Sequence, residues 1–163
     1  MQNYNFLQKQ LHRLVLGNQF LKKSLFDIEK FLFYKKQQNT KEQQHVFITG
    51  LPRSGTTILL EFLYQGKEFA SLTYTDMPFI LAPNLFCKIS KKRNIKSQER
   101  IHQDGIQFDL NSPEAFDDIF FQTFANEKIK DNLEIFVSLI LQRYTKQRYL
   151  SKNNNNYKRI KLI

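Results

Sequence analysis

Tryptophan is absent from the sequence and cysteine occurs once, at Cys87. A lone thiol excludes an intrachain disulfide framework. The three histidines, His12, His45 and His102, are scattered and give no zinc-ligand spacing. A reducing cytoplasm is therefore the expected location. Cys87, set in an apolar stretch, reads as a buried and inert thiol rather than a nucleophile. No apolar run approaches the roughly 18 residues that cross a bilayer, and the N-terminus lacks the short apolar segment and small-residue cleavage site of a signal peptide. Neither a membrane span nor secretion is expected.

Acidic residues are also short: Asp and Glu number 15 against 25 Lys and Arg, a formal charge of +10. Such a surplus suits nucleic acid, an acidic membrane surface or an anionic small ligand, and charge alone does not choose among them. The basic residues are spread over helical stretches without interleaved aromatics, so no nucleic-acid partner is expected. What the chain does possess is apolar material. Its 163 residues are 41% hydrophobic and include 16 Phe, enough for one domain with a core.

Apolar residues from Leu11 through Leu14, Val15, Leu21, Leu25, Ile28, Phe31 and Leu32 recur at three- and four-residue steps, so residues 1–40 read as a helical region. Gly17 divides it, and Ser24 with Asp27 has the form of a capping box restarting the helix. Residues 35–44 form a polar linker. An α/β part is expected over 45–163. Val46, Phe47 and Ile48 form a short buried strand, and Ile58 to Tyr64 is helix-compatible. Phe69 to Tyr74 reads as a second strand, and Met77 to Ile89 as a helix interrupted by Pro83. Lys91 to Arg100 is a charged surface loop. Ser112 before Pro113 and Glu114 signals a helix running to about Phe124. Asp131 opens a longer helix, and Arg148 to Ser151 reads as a third strand. Four asparagines, Asn153 to Asn156, follow at its end.

Between the first strand and its helix lies Gly50-Leu51-Pro52-Arg53-Ser54-Gly55-Thr56-Thr57. An anion there meets backbone N–H groups and the positive end of a helix, which favours phosphate or sulfate. The glycines allow a turn and close approach, and the Thr56 and Thr57 hydroxyls add donors. The triphosphate-binding pattern needs Lys where Thr56 stands. Here the cation comes three residues earlier, at Arg53, and no strand ends convincingly in an acid for magnesium. Sulfuryl transfer needs less charge and no metal, and Arg53 suits a leaving phosphate.

With this loop, and with Leu11-His12-Arg13-Leu14, Phe26-Asp27-Ile28-Glu29, Phe69 to Asn84, Asp104-Gly105-Ile106, Asn111 to Phe116 and Arg148 to Asn156, the sequence resembles the sulfotransferases that use 3′-phosphoadenosine 5′-phosphosulfate, in particular a bacterial branch, over their N-terminal half. The resemblance implies a P-loop-like three-layer α/β fold with a central parallel sheet, in which Arg53, Ser54, Gly55, Thr56 and Thr57 bind the 5′-phosphosulfate of the co-substrate. It implies no metal and an acceptor that is a small molecule or glycan bearing a hydroxyl or amine. Many members carry Lys in place of Arg53, which keeps the charge.

A base must take the acceptor's proton. Asp76 is the candidate, since some sulfotransferases place a catalytic glutamate after the second strand. As an alternative reading, Asp76 merely caps the helix that follows. Cytosolic relatives use a histidine shortly after a lysine on the third strand. Lys152 matches that lysine, but Asn154 stands in the histidine's place. His102 reads as structural. The family's grip on the adenosine 3′-phosphate comes from a later segment that this chain lacks. An incomplete domain is thus expected, completed by a C-terminal half or by a second copy, or inactive as it stands. Two other readings are a P-loop kinase or nucleoside triphosphatase, and a non-catalytic anion- or nucleic-acid-binding remnant.

Overall fold

The computed structural model describes residues 6–35, 44–89, 98–99, 107–108, 110–125 and 129–163. It begins with two helices, α1 (Phe6–Gly17) and α2 (Gln19–Phe33). Gly17 does end the first. The restart, however, comes at Asn18, whose extended backbone and side-chain oxygen, accepting from the Leu21 N–H at 3.1 Å, cap the new helix. Ser24 and Asp27, expected as the cap, therefore lie inside α2. Most of the polar linker, residues 36–43, and His102 lie outside the described residues.

The α/β part opens with β1 (Val46–Ile48), α3 (Thr56–Gln65) and β2 (Phe69–Ala70). Next come α4 (Pro83–Ile89) and an antiparallel pair, β3 (Gln98–Glu99) and β4 (Gln107–Phe108). The chain closes with α5 (Asp118–Thr123), α6 (Ile129–Tyr144) and β5 (Arg148–Lys152). β5 lies between β1 and β2 and runs parallel to both, with Ile48 opposite Lys152 and Phe69 opposite Arg148. Every strand of this small sheet thus ends toward the same edge.

Side chains alternate across a strand, and the packing follows that alternation. Ile48, Phe69 and Leu150 pack with Leu60 of α3 on one face. Ala70 and Tyr149 join Phe120, Phe136, Leu139 and Ile140 of α5 and α6 on the other. Phe26 of α2 enters the second cluster, where the Phe120 and Phe136 rings stack with centroids 4.5 Å apart. α2 is therefore built into the same core as the sheet. Among the described residues no helix is long and apolar enough to cross a membrane.

Four expectations need correction. The second strand stops at Ala70, because the chain beyond it pairs with another segment: Thr73 bridges Pro113 in antiparallel fashion, the Glu114 N–H reaches Leu72 O at 3.2 Å, and the Thr75 N–H reaches Leu110 O at 2.8 Å. That pairing also keeps Pro113 and Glu114 out of a helix, so α5 starts only at Asp118. Nor does Pro83 interrupt a helix from Met77. It opens α4, where a residue without an N–H costs nothing. Cys87, expected inside, is exposed: Ala82, Pro83 and Asn84 at the start of α4 take the buried positions, while Cys87 and Lys88 at its end face outward.

Candidate anion-binding site at the end of the sheet

The loop from Thr49 to Gly55 leaves β1 and enters α3. Arg53 holds φ at 65° and Gly55 at 81°, both left-handed, a conformation glycine adopts freely and arginine at a cost of about 1 kcal/mol. Backbone strain of this kind is kept where a loop must hold one shape. Ser54 fixes the turn by donating from its N–H (3.2 Å) and its hydroxyl (2.7 Å) to Leu51 O. Gly50 is needed for close approach: a Cβ there would fall 2.8 Å from Thr56 Cγ2 and 2.9 Å from Ser54 Oγ.

No side chain caps α3, and its first helical bond is donated by Leu59 to Gly55. The N–H groups of Gly55, Thr56, Thr57 and Ile58 are left without an intrahelical partner, at the positive end of a ten-residue helix. Arg53, Ser54 and Gly55 are exposed beside them, and among the described residues no carboxylate pairs with Arg53. Chemically, this arrangement offers donors and one cation to an oxyanion.

Lys152 stands at the end of β5, opposite Ile48 and two residues from Gly50 in sequence register. It lies two residues beyond Leu150, so its side chain leaves the sheet on the α3 face, where the loop also lies. Its Nζ is 3.9 Å from Glu114 Oε1, with 13% of the lysine side chain and 22% of the glutamate's exposed. Glu114 in turn accepts from the Ala115 N–H at 3.0 Å and from the Tyr74 hydroxyl at 3.5 Å. The structure thus brings Lys152 to the loop's edge and adds Glu114, which sequence reasoning read only as a first-turn acid of a helix that does not form there.

Asp76 is placed differently. It is 1% exposed, and its carboxylate closes a capping box with Thr73, accepting from that residue's N–H at 2.9 Å. Tyr144 of α6 donates to the same oxygen at 2.5 Å, and Arg143 Nε lies 3.9 Å from the other. Burial pushes this carboxyl above its ordinary range, and the bonds from Thr73 and Tyr144 pull it back. Asp76 does cap, as its alternative reading held, but it caps the 3₁₀ turn Tyr74–Asp76 rather than the next helix. Tyr144 also walls an open cleft of about 480 Å³ toward the starts of β2 and β5, lined with it by Tyr64 and Gln65 of α3, Lys67, Phe69, Pro113 and Lys146.

The asparagine run braces the other side of the loop. The Asn153 N–H continues the ladder to Ile48 O at 3.0 Å, and the side chain of fully buried Asn156 reaches the same carbonyl at 3.4 Å. Thr49 Oγ1 donates to Asn154 O at 3.4 Å. Beneath them, Ser151 donates to Asp117, and Asn153 Nδ2 bridges Asp117 (3.3 Å) and Asp118 (3.1 Å). Arg159 completes the group at 2.8 Å from Asp118. Burial raises the Asp117 carboxyl to about 6, against the opposing bonds from Ser151 and Asn153. Asp118, bonded by Arg159 and Asn153, is held below its ordinary range even though its partial burial acts the other way. The place of the asparagines at a strand end was the only signal in sequence for this brace, and nothing marked Asp117.

Comparison with known proteins adds no relative: no family model, no curated protein and no solved structure matches the chain.

Proposed function

We propose that this chain carries the phosphosulfate-binding half of a sulfotransferase, which moves a sulfuryl group from 3′-phosphoadenosine 5′-phosphosulfate to a hydroxyl or amine acceptor. The observation that carries the reading is the Pro52-Arg53-Ser54-Gly55-Thr56-Thr57 loop, held between a parallel strand and a helix whose first N–H groups are uncapped. The sulfate and 5′-phosphate oxygens accept from the N–H groups of Gly55 to Ile58 and from the threonine hydroxyls. Arg53 takes up the negative charge that grows on the leaving phosphate. Lys152, on the same face of the sheet, adds a second cation.

Support for a P-loop-like three-layer arrangement comes from helices on both faces of the sheet and from a strand order in which the last strand inserts between the first two. In such open parallel sheets ligands bind beyond the carboxyl ends of the strands, where the connections diverge. β1, β5 and the chain after β2 all reach that edge here. A kinase or triphosphatase would put lysine, not Thr56, at the loop's cationic position.

The test is competition. Titration with adenosine 3′,5′-bisphosphate, the donor's product, should give a heat of binding that Mg²⁺ leaves unchanged and that Arg53→Ala weakens by at least about tenfold. Tight, Mg²⁺-dependent binding of ATP with indifference to the bisphosphate would overturn the proposal in favour of phosphoryl transfer.

A further inference from the structure

The fold leaves an apolar strip of α2 facing water, and we propose that this strip docks on the surface of an anionic lipid bilayer. The helix is held to the core by its other side. Phe26 is buried in the cluster with Phe120 and Phe136, and buried Glu29 accepts from Asn84 N (2.8 Å) and Leu85 N (2.9 Å) at the start of α4. On the outer side, where polar residues are the rule for a surface helix, Phe20 is 79% and Phe31 88% exposed, and Ile28 and Leu32 are half exposed.

Helical spacing gathers these residues. At 3.6 residues per turn, Phe20, Ile28 and Phe31 fall within a sector of about 80°, with Phe26 on the far side of the helix. Lys23 and Lys30, seven residues apart, run along one border of that sector, and exposed Lys35 follows the end of the helix. Asp27 stands on the same border, four residues after one lysine and three before the other, where helical neighbours offset its charge. Phenylalanines beside a row of lysines are the composition of a helix that lies in a membrane interface. The rings enter the acyl boundary, while the lysine stems follow the apolar surface and their ammonium groups reach the lipid phosphates.

Charge selects the occupant. The chain carries a formal +10, which draws it to an anionic surface and opposes bringing two copies together. A two-fold pairing through the strip would set the same lysines of both copies side by side. α3 also exposes apolar residues, Ile58, Leu59 and Phe62, but its ten residues include no Lys or Arg and one acid, Glu61. An anionic bilayer therefore gains charge attraction at α2 and none from α3 itself. Contact of this kind needs only a helix lying on the surface. It accords with the absence, among the described residues, of a helix long and apolar enough to cross a membrane.

The test uses the full chain and sedimented vesicles. Wild type should pellet with vesicles of phosphatidylcholine and phosphatidylserine, mixed at about two to one, in about 0.1 M salt, and should be released as salt rises to about 0.5 M. Vesicles of phosphatidylcholine alone should bind at least about tenfold less. Phe20→Ser combined with Phe31→Ser should lower the partition by about 10², or about tenfold for each ring withdrawn. Lys30→Gln should lower it about fivefold. Phe62→Ser, on α3, should leave it unchanged. Each change replaces an exposed side chain, so the urea midpoint should hold. Lys30→Gln removes no apolar contact and decides the matter if the double variant unfolds early. Absence of binding to the anionic vesicles, binding indifferent to salt, or an equal loss from Phe62→Ser would overturn the proposal. So would a wild-type dimer in sedimentation that the double variant turns into a monomer, which would assign the strip to a second copy. The anion-binding loop takes no part in this contact, so vesicle binding and bisphosphate binding succeed or fail independently.

Discussion

Asp117 gives stability a pH dependence whose sign and size follow from its surroundings. The carboxyl is buried beneath the end of β5, and desolvation raises it from 3.8 to about 6 although Ser151 and Asn153 donate to it. A rise of roughly two pKa units corresponds to about 3 kcal/mol between the two protonation states. Because the folded state holds the proton more tightly than the unfolded chain, the stability this group contributes is fully present below about pH 4. It is lost as pH rises through about 6. Other groups titrate nearby: burial raises Glu29, which acts in the same direction, whereas His45 is lowered by burial and by Arg148 and acts in the opposite one. The difference from Asp117→Asn isolates the effect, since an amide keeps an oxygen for Ser151 and does not titrate. Urea unfolding from about pH 4 to about pH 7.5 should therefore show wild type losing about 3 kcal/mol relative to the variant, with the same dependence on urea in both. Two curves that run parallel with pH would refute the reasoning.

Tyr144→Phe removes a donor from buried Asp76 and a contact 3.0 Å from Thr73 Oγ1. It should lower stability by about 1–3 kcal/mol in the same unfolding assay, the usual cost of leaving a buried polar group short of a partner. Gly50→Ala puts a methyl 2.8 Å from Thr56 Cγ2. The loop must shift to admit it, so bisphosphate affinity should fall about tenfold, a loss of about 1.4 kcal/mol, while the far-ultraviolet circular dichroism stays unchanged.

The parts of the fold legible in the sequence were those written in local pattern. Val46, Phe47 and Ile48 formed a strand because a short apolar run bounded by a turn has few other uses, and the α6 helix followed its three- and four-residue apolar steps to Tyr144. Gly55 marked the loop because a left-handed residue was needed there. What could not be read was set by distant partners. The second strand was cut short by residues 110–114, some forty positions away, and the same pairing turned an expected helix start at Pro113 into an extended segment. Ser24 with Asp27 has the form of a cap for the second helix, whereas Asn18, directly after Gly17, caps it with its own side-chain oxygen. At the site, Arg53 to Thr57 and Lys152 were named from sequence and stand at one edge of the sheet. Glu114, Asn156 and Asp117 were not, because a single acid or amide carries no period or spacing until the strands bring it to its neighbours.

The central claim is that the loop from Arg53 to Thr57 holds the 5′-phosphosulfate of the donor. Calorimetric titration of the whole chain with adenosine 3′,5′-bisphosphate, in wild type and in Arg53→Ala, tests it most directly. The expected result is binding in wild type that ignores Mg²⁺ and a loss of at least about tenfold in the variant, with both proteins unfolding at the same urea concentration. Equal affinity in the two proteins, or binding in neither, would contradict it.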